Sequence, residues 1–191
     1  YIPSLRHGID MRGITVEANA RQTVVLCRID DVSDDLKSAI RERLTSICHG
    51  EVHVWRSPHL YSYKKTLTEF MARYSGKASS TKKGMIGELL AHILIPHHLP
   101  VLRTASPFFN MEERSIKKGF DIVMAHVSGD LFWLTEVKAG ATSGSSTSAE
   151  KSAELIEAAH RDLSSRISSN RDSVWYGAIN GAQAAIRRGN L

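Results

Sequence analysis

The sequence of 191 residues predicts an α/β protein in which an N-terminal β-α-β layer precedes a core of element order αβββαβ. Stretches with helically spaced apolar residues alternate with short apolar runs bounded by turn residues. Hydrophobic residues make up 42% of the chain and charged residues 24%, which is ordinary for a globular domain. The apolar runs are shorter than the ~18–20 residues of a membrane span, and no signal peptide is visible. We therefore expect a cytoplasmic protein that does not contact a membrane.

The N-terminal layer is predicted from two strand patterns that flank one helix. Residues 22–29 form an apolar run typical of a strand. Ser33 is a helix-capping residue followed by two aspartates in the first turn, and Gly50 ends the apolar helical spacing. Residues 51–55 alternate between polar and apolar side chains, which predicts a second strand. The two cysteines of the layer lack metal-ligand spacing and are expected to be core thiols in a reducing compartment.

The core begins with a helix over residues 84–96 that is apolar nearly all round. Glu88 is its single acidic residue, and a buried carboxylate needs a partner or a metal ion. Strands are predicted at residues 101–105, 120–123, 131–134 and 174–179. A helix over residues 149–168 precedes the last of these strands. Its apolar stripe consists of Ala153, Ile156, Ala159, Leu163 and Ile167.

A turn signal at residues 128–130 joins the second and third core strands. A two-residue turn would set Val123 opposite Glu136 and Asp121 opposite Lys138. Cross-strand partners share a face of the sheet, so Asp121, Glu136 and Lys138 would converge in one patch. A one-residue change of register would move Asp121 to the other face.

Two carboxylates beside a lysine suit metal-assisted hydrolysis of a phosphodiester. Carboxylate oxygens hold Mg²⁺, and the ion activates water and neutralises charge on the phosphate. An adjacent ammonium positions that water or stabilises developing negative charge. The same three residues also fit a surface ion-pair cluster, which contributes little.

Basic residues concentrate between Ser62 and Gly84, immediately before the Glu88 helix, and tyrosines are interleaved with them. This composition suits a nucleic-acid backbone groove, although a solvated amphipathic helix followed by a linker at residues 77–83 has the same pattern. A second basic cluster precedes Asp121. The candidate nucleic-acid ligands in the two clusters are Lys64, Lys65, Lys77, Lys82, Lys83, Arg114, Lys117 and Lys118.

With these motifs in this order, the chain resembles the PD-(D/E)xK nuclease superfamily, and the resemblance spans about residues 84–179. It implies a restriction-endonuclease-like core, with a central mixed sheet flanked by helices. It also implies that Glu88, Asp121, Glu136 and the Val137 carbonyl bind Mg²⁺ or Mn²⁺. Lys138 then orients water or stabilises the transition state. Phe120, not proline, precedes Asp121, and the superfamily often lacks this proline.

The segments Lys118-Gly119-Phe120-Asp121 and Leu134-Thr135-Glu136-Val137-Lys138 are similar, more narrowly, to the HamA family of nuclease subunits from Hachiman-type anti-phage defence. That similarity implies a DNA nuclease acting with a helicase or ATPase partner subunit (HamB-like). We expect residues 1–76 to form the accessory layer with a basic helix, and residues 77–191 to form the nuclease core.

Two alternative functions remain open at the level of sequence. The chain could be a nuclease-fold subunit that binds nucleic acid or a partner without cutting, but its complete set of Glu88, Asp121, Glu136 and Lys138 argues against this. A stand-alone restriction-type endonuclease would need an element that reads bases, and none is evident. We assign the surface of residues 14–56 to the partner, because it carries no recognisable chemistry.

Overall fold

The computed structural model of the protein describes residues 11–21, 23–109, 120–129, 131–169, 175–176 and 178–179. Over these residues the chain forms two antiparallel sheets and five helices whose bounds are described, and helical residues occur again at 175–176 and 178–179. In chain order the elements are β1 (Ile14–Ala18), β2 (Val25–Ile29), α1 (Asp34–His49), α2 (Glu51–Arg56), α3 (Tyr63–Ser75), α4 (Ser79–His98), β3 (Leu102–Thr104), β4 (Ile122–His126), β5 (Phe132–Thr135) and α5 (Ser148–Ser168). None of the helices in the described part of the chain is both long and apolar enough to cross a membrane.

The N-terminal layer has the order β-β-α-α instead of the predicted β-α-β. The predicted strand at residues 51–55 is wrong, because these residues form helix α2. Strand β2 pairs with β1 in an antiparallel arrangement, with Ile14 opposite Ile29. Gly50, at a φ of 81°, ends α1 and lets α2 begin at once. Alternation over five residues is too short a pattern to distinguish a strand from a short helix.

Helix α1 begins and ends where the sequence predicts. The Ser33 side chain accepts a hydrogen bond from the Leu36 N–H, and Gly50 follows the last turn. The Arg12 guanidinium, just before β1, pairs with Asp35 in the first turn of α1 over 3.1 Å. This contact ties the β1–β2 ribbon to the helix.

Helix α4 shares one hydrophobic core with the N-terminal helices. The cluster joins Leu44 of α1 and Phe70 of α3 to Ile93 of α4, and Phe108 packs on Phe70 with ring centroids 5.6 Å apart. The predicted linker at residues 77–83 is wrong from Ser79 onward, because these residues form the first turns of α4. The boundary between residues 76 and 77 stays a prediction, and side chains from both sides of it fill this core.

The second sheet has the order β3-β4-β5, with every described pair antiparallel. The predicted mixed sheet is therefore not found among the described strands. The predicted strand at residues 174–179 is also wrong, since its described residues are helical. Trp175 and Ala178 lie three residues apart on one helical face and pack with Phe120 and Val123.

The register of β4 and β5 differs from the prediction by two residues. Val123 lies opposite Leu134, where Glu136 was expected. His126 donates its backbone N–H to the Leu131 carbonyl, so the two strands separate after His126 and the turn is longer than the two residues predicted. Gly129 takes a φ of 78° within it. An even shift keeps every side chain on its predicted face.

Helix α5 begins at a capping box in which Thr147 and Glu150 exchange hydrogen bonds. The expected apolar stripe does not face the core along its whole length, because Ile156 is 66% exposed and Ile167 is also exposed. The half-buried face instead includes Leu155, Asp162 and Arg166. Two charged side chains of α5 are thereby directed to the sheet.

Candidate active site

Asp121 and Glu136 lie at the open end of the β4–β5 hairpin. Asp121 immediately precedes β4 and Glu136 immediately follows β5. Continuing the observed register by one residue sets them opposite each other, whereas the predicted pairing of Asp121 with Lys138 is wrong. The Val137 N–H donates a hydrogen bond of 2.8 Å to Asp121 Oδ2. The expected convergence of Asp121 with the Glu136–Lys138 segment is therefore found in a different register.

Glu136 is the most enclosed group of the site, with 2% of its side chain exposed. Lys138 Nζ lies 2.7 Å from Glu136 Oε1, and Arg166 Nη1 contacts Glu136 Oε2 directly. Arg166 Nη1 is also 3.9 Å from Asp121 Oδ1. A buried carboxylate needs such compensation, because isolated burial of its charge is costly.

Asp162 completes the charged network from helix α5. Its Oδ2 atom lies 2.6 Å from Lys138 Nζ, so Lys138 bridges Glu136 and Asp162. Neither Asp162 nor Arg166 was predicted from the sequence. The available signal was their spacing of four residues, which places an acid and a base on one face of the helix after the ExK segment. We name Asp121, Glu136, Lys138, Asp162 and Arg166 the charged network.

The network keeps Lys138 positively charged. Burial lowers the pKa of Lys138, but hydrogen bonds to Asp162 and Glu136 outweigh this effect and raise the pKa above its usual value. The hydrogen bond from Lys138 in turn lowers the pKa of the Asp162 carboxyl. Lys138 is therefore an ammonium at neutral pH and is unsuited to act as a general base.

Two glycines let helices approach the Glu136–Lys138 segment closely from α4 and α5. A Cβ atom at Gly87 of α4 would lie 2.8 Å from Ala139 Cβ. A Cβ at Gly140 would lie 2.8 Å from Lys151 Cε and 3.2 Å from Leu155 Cδ2 of α5. The segment that carries Lys138 therefore runs between the two helices.

Glu88 directly follows Gly87 on α4. Its side chain is 19% exposed, and its Oε1 atom lies 4.0 Å from Nε2 of the buried His92. The close approach at Gly87 sets this stretch of α4 against Val137 and Ala139. Membership of Glu88 in the same metal site as Asp121 and Glu136 stays a prediction.

Asp121 and Glu136 fit a hard divalent cation by their donor chemistry. Their carboxylates converge on one cationic nitrogen, that of Arg166, and Mg²⁺ is commonly held by one or two carboxylates together with substrate phosphates. Within the described ranges, no group of three or more histidine, cysteine, aspartate or glutamate side chains is arranged to hold a metal ion. The Val137 carbonyl stays a predicted ligand.

The predicted nucleic-acid ligands divide between described and undescribed parts of the chain. Lys64, Lys65, Lys77 and Lys83 are exposed on or beside α3 and α4. Lys82 is half-buried, with its Nζ 5.3 Å from the centre of the Tyr74 ring. The second predicted cluster, Arg114, Lys117 and Lys118, lies outside the described residues.

Comparison with known proteins gives one family match. A family model described as HamA matches residues 13–180, which is most of the chain. No curated protein matches the chain, and no solved structure matches it. The matched range includes β1 through α5, and so every member of the charged network.

Proposed function

The chain belongs to the HamA family, a component of Hachiman-type anti-phage defence, and we propose that it is a metal-dependent nuclease that hydrolyses phosphodiester bonds in DNA. One observation carries this proposal. The Asp121 and Glu136 carboxylates converge beside Lys138 at the open end of a hairpin. A surface ion-pair cluster would not require a glutamate with only 2% of its side chain exposed.

The metal site is proposed on Asp121 and Glu136, with Glu88 and the Val137 carbonyl as further ligands. Mg²⁺ or Mn²⁺ at this position would lower the pKa of a bound water and neutralise charge on the scissile phosphate. The hydrogen bond from the Val137 N–H fixes the orientation of the Asp121 carboxylate, whose other oxygen lies 3.9 Å from Arg166 Nη1, the atom that also contacts Glu136. Such fixed ligands reduce the reorganisation that the reaction requires.

Lys138 acts through its charge. Its raised pKa keeps the ammonium protonated, so it orients the attacking water by donating hydrogen bonds or stabilises negative charge on the phosphate. Asp162 is a second carboxylate partner of this ammonium, 2.6 Å from Lys138 Nζ. Lys138 is thereby kept in one place without depending on a single carboxylate.

The DNA backbone is proposed to approach along α3 and the first turns of α4. The exposed lysines there are a suitable electrostatic surface, and α4 leads from Lys83 to Glu88 in little more than one turn. Tyr74 beside Lys82 supplies an aromatic ring within the same surface.

A helicase or ATPase partner is proposed to bind the N-terminal layer. The chain alone is then a restrained nuclease, and the partner releases cutting when it engages foreign or damaged DNA. The layer exposes several large apolar side chains, which is typical of interaction surfaces. These residues are Val24, Val25, Leu26, Val32 and Trp55. Trp55, at 74% exposure, is the strongest candidate for an anchor.

A plasmid-cleavage assay tests the proposed function. The chain is incubated with supercoiled DNA, with and without Mg²⁺, ATP and the helicase encoded beside it. We expect cleavage only with the metal ion, and stronger cleavage with partner and ATP. Absence of cleavage under every condition would refute the nuclease proposal, and cleavage unaffected by partner and ATP would refute the restraint.

A further inference from the structure

Arg166 occupies the position between the two proposed metal-binding carboxylates. Its Nη1 atom contacts Glu136 Oε2 and lies 3.9 Å from Asp121 Oδ1. The remaining oxygens of these carboxylates are engaged elsewhere, Glu136 Oε1 by Lys138 and Asp121 Oδ2 by the Val137 N–H. Among the residues that the structure describes, Arg166 therefore bridges Asp121 and Glu136 with its positive charge.

A guanidinium and a divalent cation exclude each other at this point. Mg²⁺ binds carboxylate oxygens at about 2.0–2.1 Å and would repel a positive group that contacts the same oxygens. Lys138 poses no such conflict, since its partners are Glu136 Oε1 and Asp162. Metal binding through Asp121 and Glu136 therefore requires Arg166 to leave.

Asp162 offers the displaced guanidinium a second partner. It lies four residues before Arg166 on the same face of α5, where side chains of opposite charge meet. Arg166 already lowers the pKa of the Asp162 carboxyl through its charge, although Lys138 is the main cause of the shift. The Arg166 side chain is 31% exposed, so the protein does not enclose it completely.

We propose that Arg166 is an internal counter-ion that holds Asp121 and Glu136 together without metal and that an incoming divalent cation displaces it. The inference rests on the proposed metal site. Arg166 then competes with the metal ion for the two carboxylates. The metal concentration needed to fill the site therefore depends on Arg166 as well as on Asp121 and Glu136.

The test compares Mn²⁺ binding by the wild-type chain, Arg166→Gln and Arg161→Gln, using electron paramagnetic resonance to measure free Mn²⁺. Arg161 is a matched control, because it is an exposed arginine on the same helix and its replacement changes the net charge equally. We expect Arg166→Gln to bind Mn²⁺ about tenfold more tightly, since a charge-assisted hydrogen bond no longer competes. Arg161→Gln should bind within about twofold of wild type.

Each outcome distinguishes the inference from the metal site itself. Wild-type binding with equal or weaker binding by Arg166→Gln would overturn the inference and leave the metal site standing. No binding by any of the three chains would overturn both.

A measurement on the wild-type chain covers the case in which Arg166→Gln does not fold. Arginine ¹⁵Nε resonances are followed during titration with Mg²⁺, and Arg166→Lys identifies the Arg166 signal. Displacement predicts a shift of the Arg166 signal at saturation while the Arg161 signal stays in place. An unmoved Arg166 signal in a metal-saturated chain would overturn the inference.

Discussion

The backbone N–H of Val137 donates a hydrogen bond of 2.8 Å to the side chain of Asp121. This contact links the residue before β4 to the segment after β5, beyond the last described backbone pair of the two strands. It holds the Asp121 carboxylate beside Arg166, whose guanidinium also contacts Glu136. The start of β4 and the end of β5 thus bring Asp121 and Glu136 to the same site.

The close approach of α4 to the site predicts opposite effects for two glycine substitutions in that helix. Gly87→Ala should destabilise the chain by about 1–3 kcal/mol, because the new Cβ would meet Ala139 Cβ at 2.8 Å. Gly84→Ala should stabilise it by about 0.5–1 kcal/mol, because nothing lies within 4 Å of its Cβ. Urea denaturation of both variants measures these changes. Equal effects at the two positions would contradict the packing described here.

Convergence of the site carboxylates was predictable from local periodicity. Residues of a hairpin alternate between the two faces of the sheet. The predicted register was wrong by two residues, and an even error leaves Asp121 and Glu136 on the same face. The Ser33 cap and Gly50 likewise set the ends of α1, because capping depends on neighbouring residues alone.

Asp162 and Arg166 were not predictable in the same way. They reach the site from α5, and which face of that helix meets the sheet depends on packing between distant parts of the chain. Of the predicted apolar stripe, Leu163 packs against the cluster of Phe120 and Val123, whereas Ile156 and Ile167 are exposed. The face of α5 that meets the site is determined instead by the close approach at Gly140 and by the ion pairs of Asp162 and Arg166.

Stability should depend on pH through Asp35. Hydrogen bonds from the Arg12 side chain and backbone lower the pKa of the Asp35 carboxyl. A carboxyl group whose pKa is lower in the folded chain stabilises the fold above its unfolded value, near 3.8, and this contribution disappears as pH falls through the folded value. Asp35→Asn should therefore lower Tm at neutral pH, and the difference from wild type should shrink by about pH 3.

Asp34→Asn is the control for this prediction, because the Asp34 carboxylate forms its hydrogen bond with Lys37 of the same helix and acts on Arg12 only as the smallest of the causes that shift the Arg12 pKa. It should change Tm less at neutral pH. A Tm deficit of Asp35→Asn that is the same at both pH values would show that the loss is not electrostatic.

DNA affinity should depend on the lysines at the start of α4. Replacing Lys82 and Lys83 with glutamine should reduce the slope of log affinity against log salt by about 0.7–0.9 for each phosphate that is no longer neutralised. Replacing Lys37 and Arg41 on α1 with glutamine removes the same charge and should leave the slope almost unchanged. Fluorescence anisotropy at several salt concentrations measures both. A similar reduction in the two variants would indicate a general effect of net charge.

Association with the helicase should depend on Trp55. Truncation of an exposed tryptophan that becomes buried in an interface removes a large apolar surface, so Trp55→Ala should weaken binding by about tenfold or more. Ile156→Ala, which truncates an exposed apolar residue of α5, should bind as wild type does. Surface plasmon resonance with immobilised helicase compares them. Equal reductions in affinity would remove the assignment of the partner to the N-terminal layer.

Cleavage by Glu136→Gln is the decisive measurement of whether Glu136 and its neighbours form a hydrolytic metal site. Glutamine keeps the shape of the side chain and removes the charge that a metal ion requires. Glu157→Gln, on the exposed face of α5, is the control. In the plasmid assay with Mg²⁺, ATP and helicase, the rate of Glu136→Gln should fall at least about a hundredfold while Glu157→Gln cuts as wild type does. Cleavage by Glu136→Gln at the wild-type rate would contradict a hydrolytic metal site at Glu136.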